Sequence, residues 1–134
     1  MVKEKIDKCL EGVKTEISSK NSFVNDIFLK KYYNLLALRK DTFKKMFEYL
    51  ESLGKKEYLI VETGICRQDN NFSGDGMSSL MFDDFVNYYG GKFITIDINE
   101  VNVNFAKTKL SSKSEIINVC IVSISKWDFP FDAK

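Results

Sequence analysis

The chain has 134 residues, with 20 basic and 19 acidic side chains and a formal charge of +1. Hydrophobic residues make up 44% of it and aromatic residues 13%, which argues against disorder and predicts a domain with its own core. The balanced charge argues against binding to nucleic acid or to an anionic membrane surface, because both require a basic patch.

The chain contains no histidine, which excludes Ser-His-Asp and Cys-His nucleophile systems and the commonest transition-metal ligand. Its three cysteines, Cys9, Cys66 and Cys120, are far apart in the sequence. We therefore expect reduced thiols and a cytoplasmic protein rather than a disulfide framework. The charged N-terminus is not typical of a secretory signal, and no apolar run approaches the ~20 residues that cross a bilayer.

The first 54 residues predict helices. Apolar residues recur at helical spacing between residues 3 and 18, and a second helical region runs from about 23 to 53. Asp41 and Thr42 are predicted to cap a helix that ends at Gly54. Aromatic residues of this region are expected to pack as core: Phe28, Tyr32, Tyr33, Phe43, Phe47 and Tyr49.

Residues 55–134 predict alternating strands and helices. Met77–Tyr89 has apolar residues at helical intervals, and Asn99 is placed to cap a further helix at about 100–110. The order β-α-β-α-β predicts a parallel sheet with right-handed crossovers. Three short apolar runs are typical of its strands: Tyr58–Glu62, Lys92–Asp97 and Ile116–Ile124.

The second half of the chain contains the stretches VETGICRQDNNFSGDGMSSLMFDDFV and GGKFITIDINEVNVNFAKTKL. Together they resemble class I S-adenosylmethionine-dependent methyltransferases. The first has an ETG, a long polar loop, a GDG and a serine-rich helix start, and the resemblance covers about half of the chain, from Tyr58 to Ile124. It implies an α/β domain, Rossmann-like with three α/β/α layers, an S-adenosylmethionine cofactor and methyl transfer to an acceptor.

The resemblance implies roles for five residues. Glu62 and Gly64 match the acid and first glycine of the family's first motif, where the acid helps to hold the methionine part of the cofactor and the glycine lets the backbone approach it. Gly76 and Ser78 match the end of the loop, where backbone amides open a helix. Asp97 matches the acid that binds the ribose hydroxyls. These roles suit a residue without a Cβ and a carboxylate that accepts two hydrogen bonds.

The sequence departs from the family at three places. Cys66 stands where a second glycine is usual, and the expected end of the third strand, residues 121–123, has no acid to meet the adenine. Further strands of the family's sheet do not fit before Lys134. We therefore expect a single domain in which a helical segment of residues 1–54 precedes a partial methyltransferase core of residues 55–134. Its incomplete sheet should have about three strands in the order third-second-first, with helices on both faces.

Two functions from different classes remain open. One is an S-adenosylmethionine-binding, methyltransferase-like protein, for which the sequence identifies neither the acceptor nor the catalytic residues. The other is a truncated, non-catalytic relic that acts as an interaction module. In both cases the exposed edge of the first strand could support self-association. A nicotinamide-dependent oxidoreductase fits less well, because Cys66 replaces the glycine that should approach a pyrophosphate.

Three further features are interpreted as structural. Arg67 is expected at the surface, with contact to a ligand carboxylate as the alternative. Cys66 is expected to be a small loop residue, because a nucleophilic cysteine needs a lowered pKa and no histidine is present. No metal site is expected from the acids around the long loop, whose spacing matches no known loop signature: Asp69, Asp75, Asp83 and Asp84.

Overall fold

The computed structural model describes residues 2–8, 21–74 and 76–119. Residues 2–8 are helical, and the rest of the first predicted helix lies outside these ranges. The expectations for Cys9, Asp75, Cys120 and the end of the third strand also lie outside them. Within the described ranges, no helix is both long and apolar enough to cross a membrane.

Short helical turns between residues 24 and 39 lead into a regular helix. This helix, α1, spans Lys40–Ser52, and Gly54 follows it with a φ of +58°, as predicted for a helix end. The turns before it are π-helical, α-helical and then twice 3-10: Val24–Phe28, Leu29–Lys31, Tyr33–Leu35 and Ala37–Arg39.

The predicted cap of α1 is wrong. The helix begins at Lys40, and its cap residue Arg39 has helical backbone angles and no capping side chain. Because the preceding 3-10 turn is already helical, the extended geometry that a capping side chain requires does not arise. Asp41 instead accepts a hydrogen bond from the Tyr33 hydroxyl at 2.6 Å.

Three parallel strands form one sheet in the order β1-β2-β3, which confirms the predicted α/β class, the incomplete parallel sheet and its strand order. The third strand starts at Ser114, two residues before the predicted Ile116, and the described chain ends one residue after it. The elements in chain order are β1 (Tyr58–Thr63), α2 (Ser78–Tyr89), β2 (Gly91–Asp97), α3 (Glu100–Lys107) and β3 (Ser114–Asn118).

The start of β2 lies unusually close to β1. Gly91 is the register partner of Tyr58, and its φ is +113°. A Cβ at this position would lie 2.0 Å from the Tyr58 carbonyl oxygen. Only glycine therefore fits where α2 turns into β2.

The two connecting helices pack on one face of the sheet. The connections from β1 to β2 and from β2 to β3 both move toward the same edge of the sheet. Because both are right-handed, their helices lie on the same face. Phe82 of α2 contacts Phe93 of β2 with ring centroids 5.7 Å apart. Ile116 of β3, on the same face, packs against the cluster that contains Ala106 of α3.

The opposite face of the sheet is open at β1. Leu59 and Val61 point to this face and are 70% and 58% exposed. The expected helical layers on both faces are therefore present on one face only, within the part of the chain that the structure describes. Large apolar side chains that stay exposed together are typical of an interaction surface.

An aromatic core joins the N-terminal segment to α2. Phe23 lies 4.9 Å from Phe47, and Phe47 lies 5.4 Å from Phe85, between ring centroids. Phe28, Tyr32 and Phe47 are buried as predicted, whereas Tyr49 is 64% exposed. Because the two parts share this core, the division at residue 54 stays a prediction.

Tyrosine hydroxyls also fasten the N-terminal segment to α2. Each donates a hydrogen bond to a carboxylate on the other element. The pairs are Tyr32 with Asp84 at 2.5 Å, Tyr88 with Asp26 at 2.6 Å and Tyr89 with Glu51 at 2.6 Å.

Candidate functional site

A cavity of about 720 Å³ lies at the carboxyl ends of β1 and β2. Parallel strands bring these ends to the same edge of a sheet, where α/β proteins commonly bind ligands. The volume is within the range of small-molecule sites. All five residues selected from the sequence line this cavity: Glu62, Gly64, Gly76, Ser78 and Asp97.

Glu62, the second-to-last residue of β1, accepts hydrogen bonds from three hydroxyl groups. Ser79 of α2 donates to its Oε2 at 2.6 Å, Thr95 of β2 donates to the same atom at 3.0 Å, and Ser78 donates to Oε1. Thr95 is opposite Glu62 in the β1–β2 register, and the two serines form the first turn of α2. Burial raises the pKa of Glu62, while the three hydroxyl donors oppose this rise by stabilising the carboxylate.

Gly64 gives the cavity access to the main chain. Its φ is +85°, and no atom lies within 4 Å of the place where a Cβ would be. Its N–H donates to the carbonyl of Ile96 at 2.8 Å, which keeps the chain on β2 beyond the end of β1. A side chain here would be strained and would fill open space beside the backbone.

Ile65 and Cys66, which follow Gly64, hydrogen-bond the start of the loop to β2 and α2. The N–H of Ile65 donates to Oδ2 of Asp97 at 3.2 Å, and the N–H of Cys66 donates to Oγ of Ser79 at 3.1 Å. Cys66 is buried, and its burial raises the pKa of its thiol. A protonated, buried thiol is a poor nucleophile, in agreement with the structural role expected for it.

Asp97 ends β2 with both carboxylate oxygens in hydrogen bonds. Oδ1 accepts from the N–H of Asn99 at 2.8 Å, and Oδ2 accepts from Ile65 and from the Asn102 amide at 3.3 Å. Partial burial would raise the pKa of Asp97, but these donors outweigh it, so the pKa lies below its usual value. Asp97 is therefore ionised at neutral pH.

The predicted cap of α3 is confirmed. The side chain of Asn99 accepts a hydrogen bond from the N–H of Val101 at 2.9 Å. At the far side of the long loop, Gly76 lies against Asn71, whose amide nitrogen would be 3.3 Å from a Cβ on this glycine. Gly76 thus serves close packing of the loop, just before α2 begins at Ser78.

An apolar part of the cavity lining was not predicted from the sequence. Phe43 and Met46 of α1 and Phe82 of α2 line the cavity, together with Asn102 of α3. The aromatic character of α1 is visible in the sequence, but nothing in the chain order indicates that α1 reaches the end of β1. Arg67 is exposed, as expected, and it also lines the cavity.

Two of the acids around the loop, Asp83 and Asp69, have different partners. Asp83 is buried and accepts from the N–H of Ser111 at 2.9 Å and from its hydroxyl at 2.6 Å. Asp69 forms an ion pair with Lys109 at 2.6 Å. Among the described residues, no three side chains of the metal-binding types lie together.

Comparisons with family models, with curated proteins and with solved structures found no match for this chain.

Proposed function

We propose that the chain is an S-adenosylmethionine-binding, methyltransferase-like protein whose cofactor site is the cavity at the ends of β1 and β2. One observation carries the proposal. Two acids at the carboxyl ends of adjacent parallel strands, Glu62 and Asp97, line one cavity with Gly64, whose backbone is open to a ligand. This arrangement is the one that the motif resemblance requires, and it suits a nucleoside ligand.

The residues present fit such a ligand. Asp97 is ionised, and its Oδ1 accepts one hydrogen bond from the chain, so it keeps acceptor capacity for a ribose hydroxyl. Glu62 offers negative charge to the amino group of the methionine part. Gly64 and Ser78 place backbone next to the ligand.

S-adenosylmethionine would supply a methyl group: an acceptor would attack the methyl carbon in line with its bond to sulfur, and S-adenosylhomocysteine would leave with the electron pair of that bond. Such a transfer depends mainly on proximity and orientation, so the absence of histidine from the chain is compatible with it. The acceptor side of the cavity would be the apolar part formed by Phe43, Met46 and Phe82.

Calorimetric titration tests the proposal. We expect saturable binding of S-adenosylmethionine and S-adenosylhomocysteine and none of NAD. Glu62→Ala and Asp97→Ala should abolish it, whereas Asp69→Ala, on the exposed part of the loop, should not. A folded wild-type protein that binds neither ligand would overturn the proposal.

An interaction module remains the second candidate function, because β1 lies at the edge of the sheet with exposed apolar side chains. The N–H of Tyr58 bonds to the carbonyl of Gly90, just before β2, and the N–H of Gly64 bonds to that of Ile96 in β2. The alternate peptide groups between them, at residues 59, 61 and 63, therefore face away from β2. The side chains of Leu59 and Val61 are exposed as well. We propose self-association of two copies along this edge, since an unpaired apolar strand favours pairing with another strand.

We propose a cytoplasmic location because the thiol of Cys66 is not in a disulfide. Cys66 is a free, buried cysteine, which agrees with a reducing compartment.

A further inference from the structure

Glu62 is a largely buried carboxylate held by neutral donors. Its contacts within the described residues are the hydroxyls of Ser78, Ser79 and Thr95, and none is a basic side chain. Ser79 and Thr95 have no exposed surface. A buried charge in a protein is usually paired with an opposite charge, because desolvation otherwise disfavours it.

We infer that Ser79 and Thr95 are positioning residues that hold the Glu62 carboxylate in the cavity lining. With no basic partner among the residues that the structure describes, this carboxylate selects ligands that carry a cationic group. Hydroxyl donors stabilise a carboxylate without cancelling its charge, whereas a lysine or arginine would neutralise it. The identity of the ligand as S-adenosylmethionine rests on the proposed function, but the positioning role does not.

The geometry separates positioning from ligand contact. Thr95 lies in the middle of β2, fully buried beneath the sheet's covered face, so it acts only through Glu62. Ser79 donates to Glu62 and accepts from the N–H of Cys66, so it fixes the carboxylate relative to the loop. Loss of either hydroxyl should make protonation of Glu62 easier, and a protonated Glu62 no longer attracts a cation.

Two other titratable groups that the structure describes at the cavity titrate apart from Glu62. The pKa of the Cys66 thiol is raised and that of the Asp97 carboxyl is lowered, whereas Glu62 has a pKa raised above that of a free glutamate. Arg67 also lines the cavity and keeps its charge throughout. The helices contribute groups that do not titrate: Phe43 and Met46 from α1 and Phe82 from α2.

Carboxyl-labelled glutamate and NMR titration test the positioning role without any ligand. Glu62→Gln assigns the signal. We expect Thr95→Val and Ser79→Ala each to raise the midpoint of Glu62 by about one pH unit, a tenfold gain in proton affinity. Thr108→Val, which removes an exposed hydroxyl bonded to the carbonyl of Phe105, should leave the midpoint unchanged.

Rescue and folding controls complete this test. Thr95→Ser keeps the hydroxyl and should restore the wild-type midpoint. If Thr95→Val does not fold, the shift in the Glu62 midpoint is measured in Ser79→Ala alone. An unchanged midpoint in the folded variants overturns the positioning role.

Ligand selection is tested by calorimetry with two probes. S-adenosylmethionine carries cationic groups, whereas 5′-methylthioadenosine is neutral. We expect the affinity for S-adenosylmethionine to fall tenfold for each pH unit below the Glu62 midpoint, while the affinity for the neutral probe stays constant. Thr95→Val should move this fall about one unit higher. Equal pH dependence of the two probes overturns the selection of cations. If neither probe binds but the Ser79 and Thr95 variants still shift the titration midpoint of Glu62, the proposed cofactor is overturned and the positioning role stands.

Discussion

The carboxylate of Asp97 accepts a hydrogen bond from the backbone N–H of Ile65 at 3.2 Å. This bond joins the end of β2 to the loop that leaves β1. The N–H of Asn99 and the amide of Asn102 donate to the same carboxylate, so it holds three segments together. Asp97 therefore has a structural role whether or not a ligand is bound.

Asp97→Asn should destabilise the fold. The amide keeps the shape of the side chain, but its NH₂ group would face a donor, either Asn99 or Ile65. We predict a loss of about 1–2 kcal/mol at pH 7, measured by urea unfolding. Asp69→Asn is the control, because its ion pair with Lys109 is largely exposed and should contribute less than about 1 kcal/mol.

The effect of Asp97 should also depend on pH. Its pKa is lowered in the folded state, so its contribution is present above the unfolded pKa of about 3.9 and is lost as pH falls through the folded value. The difference in stability between wild type and Asp97→Asn should therefore shrink below about pH 4. Equal destabilisation by the Asp97 and Asp69 variants at pH 7 would contradict this role.

The tyrosine–carboxylate pairs predict alkaline unfolding. Burial and hydrogen bonds to carboxylates raise the pKa of Tyr32 and Tyr89, and raise that of Tyr88 to about 12. In each case the folded pKa is above the unfolded value of about 10, so their contribution is complete below pH 10 and is lost as pH rises through the folded values. Chemical unfolding between pH 8 and 12 measures the decline.

Tyr32→Phe isolates one of these pairs. The change removes the hydroxyl that donates to Asp84, although Lys31 still forms an ion pair with this acid at 2.7 Å. We predict a loss of about 1–2 kcal/mol at pH 8 and a shallower decline above pH 10. Tyr49→Phe, on the exposed face of α1, should change neither quantity. A decline as steep as that of the wild type would rule out the contribution of Tyr32.

Gly91→Ala should prevent stable folding. The new Cβ would collide with the Tyr58 backbone at 2.0 Å, and the φ of +113° is unfavourable for alanine. Strain and overpacking together predict a loss of roughly 3 kcal/mol or more. Gly54→Ala is the matched control: its φ is also positive, but no atom lies within 4 Å, so we expect about 1 kcal/mol. Thermal unfolding compares the two, and similar values would contradict the close approach of β1 and β2.

Val61→Lys should abolish self-association through β1. Size-exclusion chromatography with light scattering should show a mass that rises with concentration for the wild type and stays monomeric for the variant, because a charge on an edge strand opposes pairing. Val101→Lys is the control, since Val101 is similarly exposed at 74% but lies on α3. A wild type that is monomeric at every concentration would refute the edge contact.

Sequence alone determined the features that depend on near neighbours. The alternation of apolar runs and helical spacing predicted the parallel sheet with right-handed crossovers, and the motif resemblance supplied the expected strand order. Asn99 was predicted as a cap because its partner, Val101, is two residues away. Glu62 and Asp97 were selected through the motif resemblance, and parallel strands bring their carboxyl ends to one edge of the sheet, which needs no side-chain detail.

Only the tertiary structure decided which groups surround those acids. The hydroxyls that hold Glu62 come from Ser79 and Thr95, which are 17 and 33 residues away in the chain. Phe43 reaches the cavity because aromatic packing places α1 over the end of β1. Asp41 looked like a helix cap, yet it pairs with Tyr33 because the 3-10 turn before it was not visible as a pattern. Contacts of this kind depend on how elements pack, and packing is a property of the whole chain rather than of any short stretch.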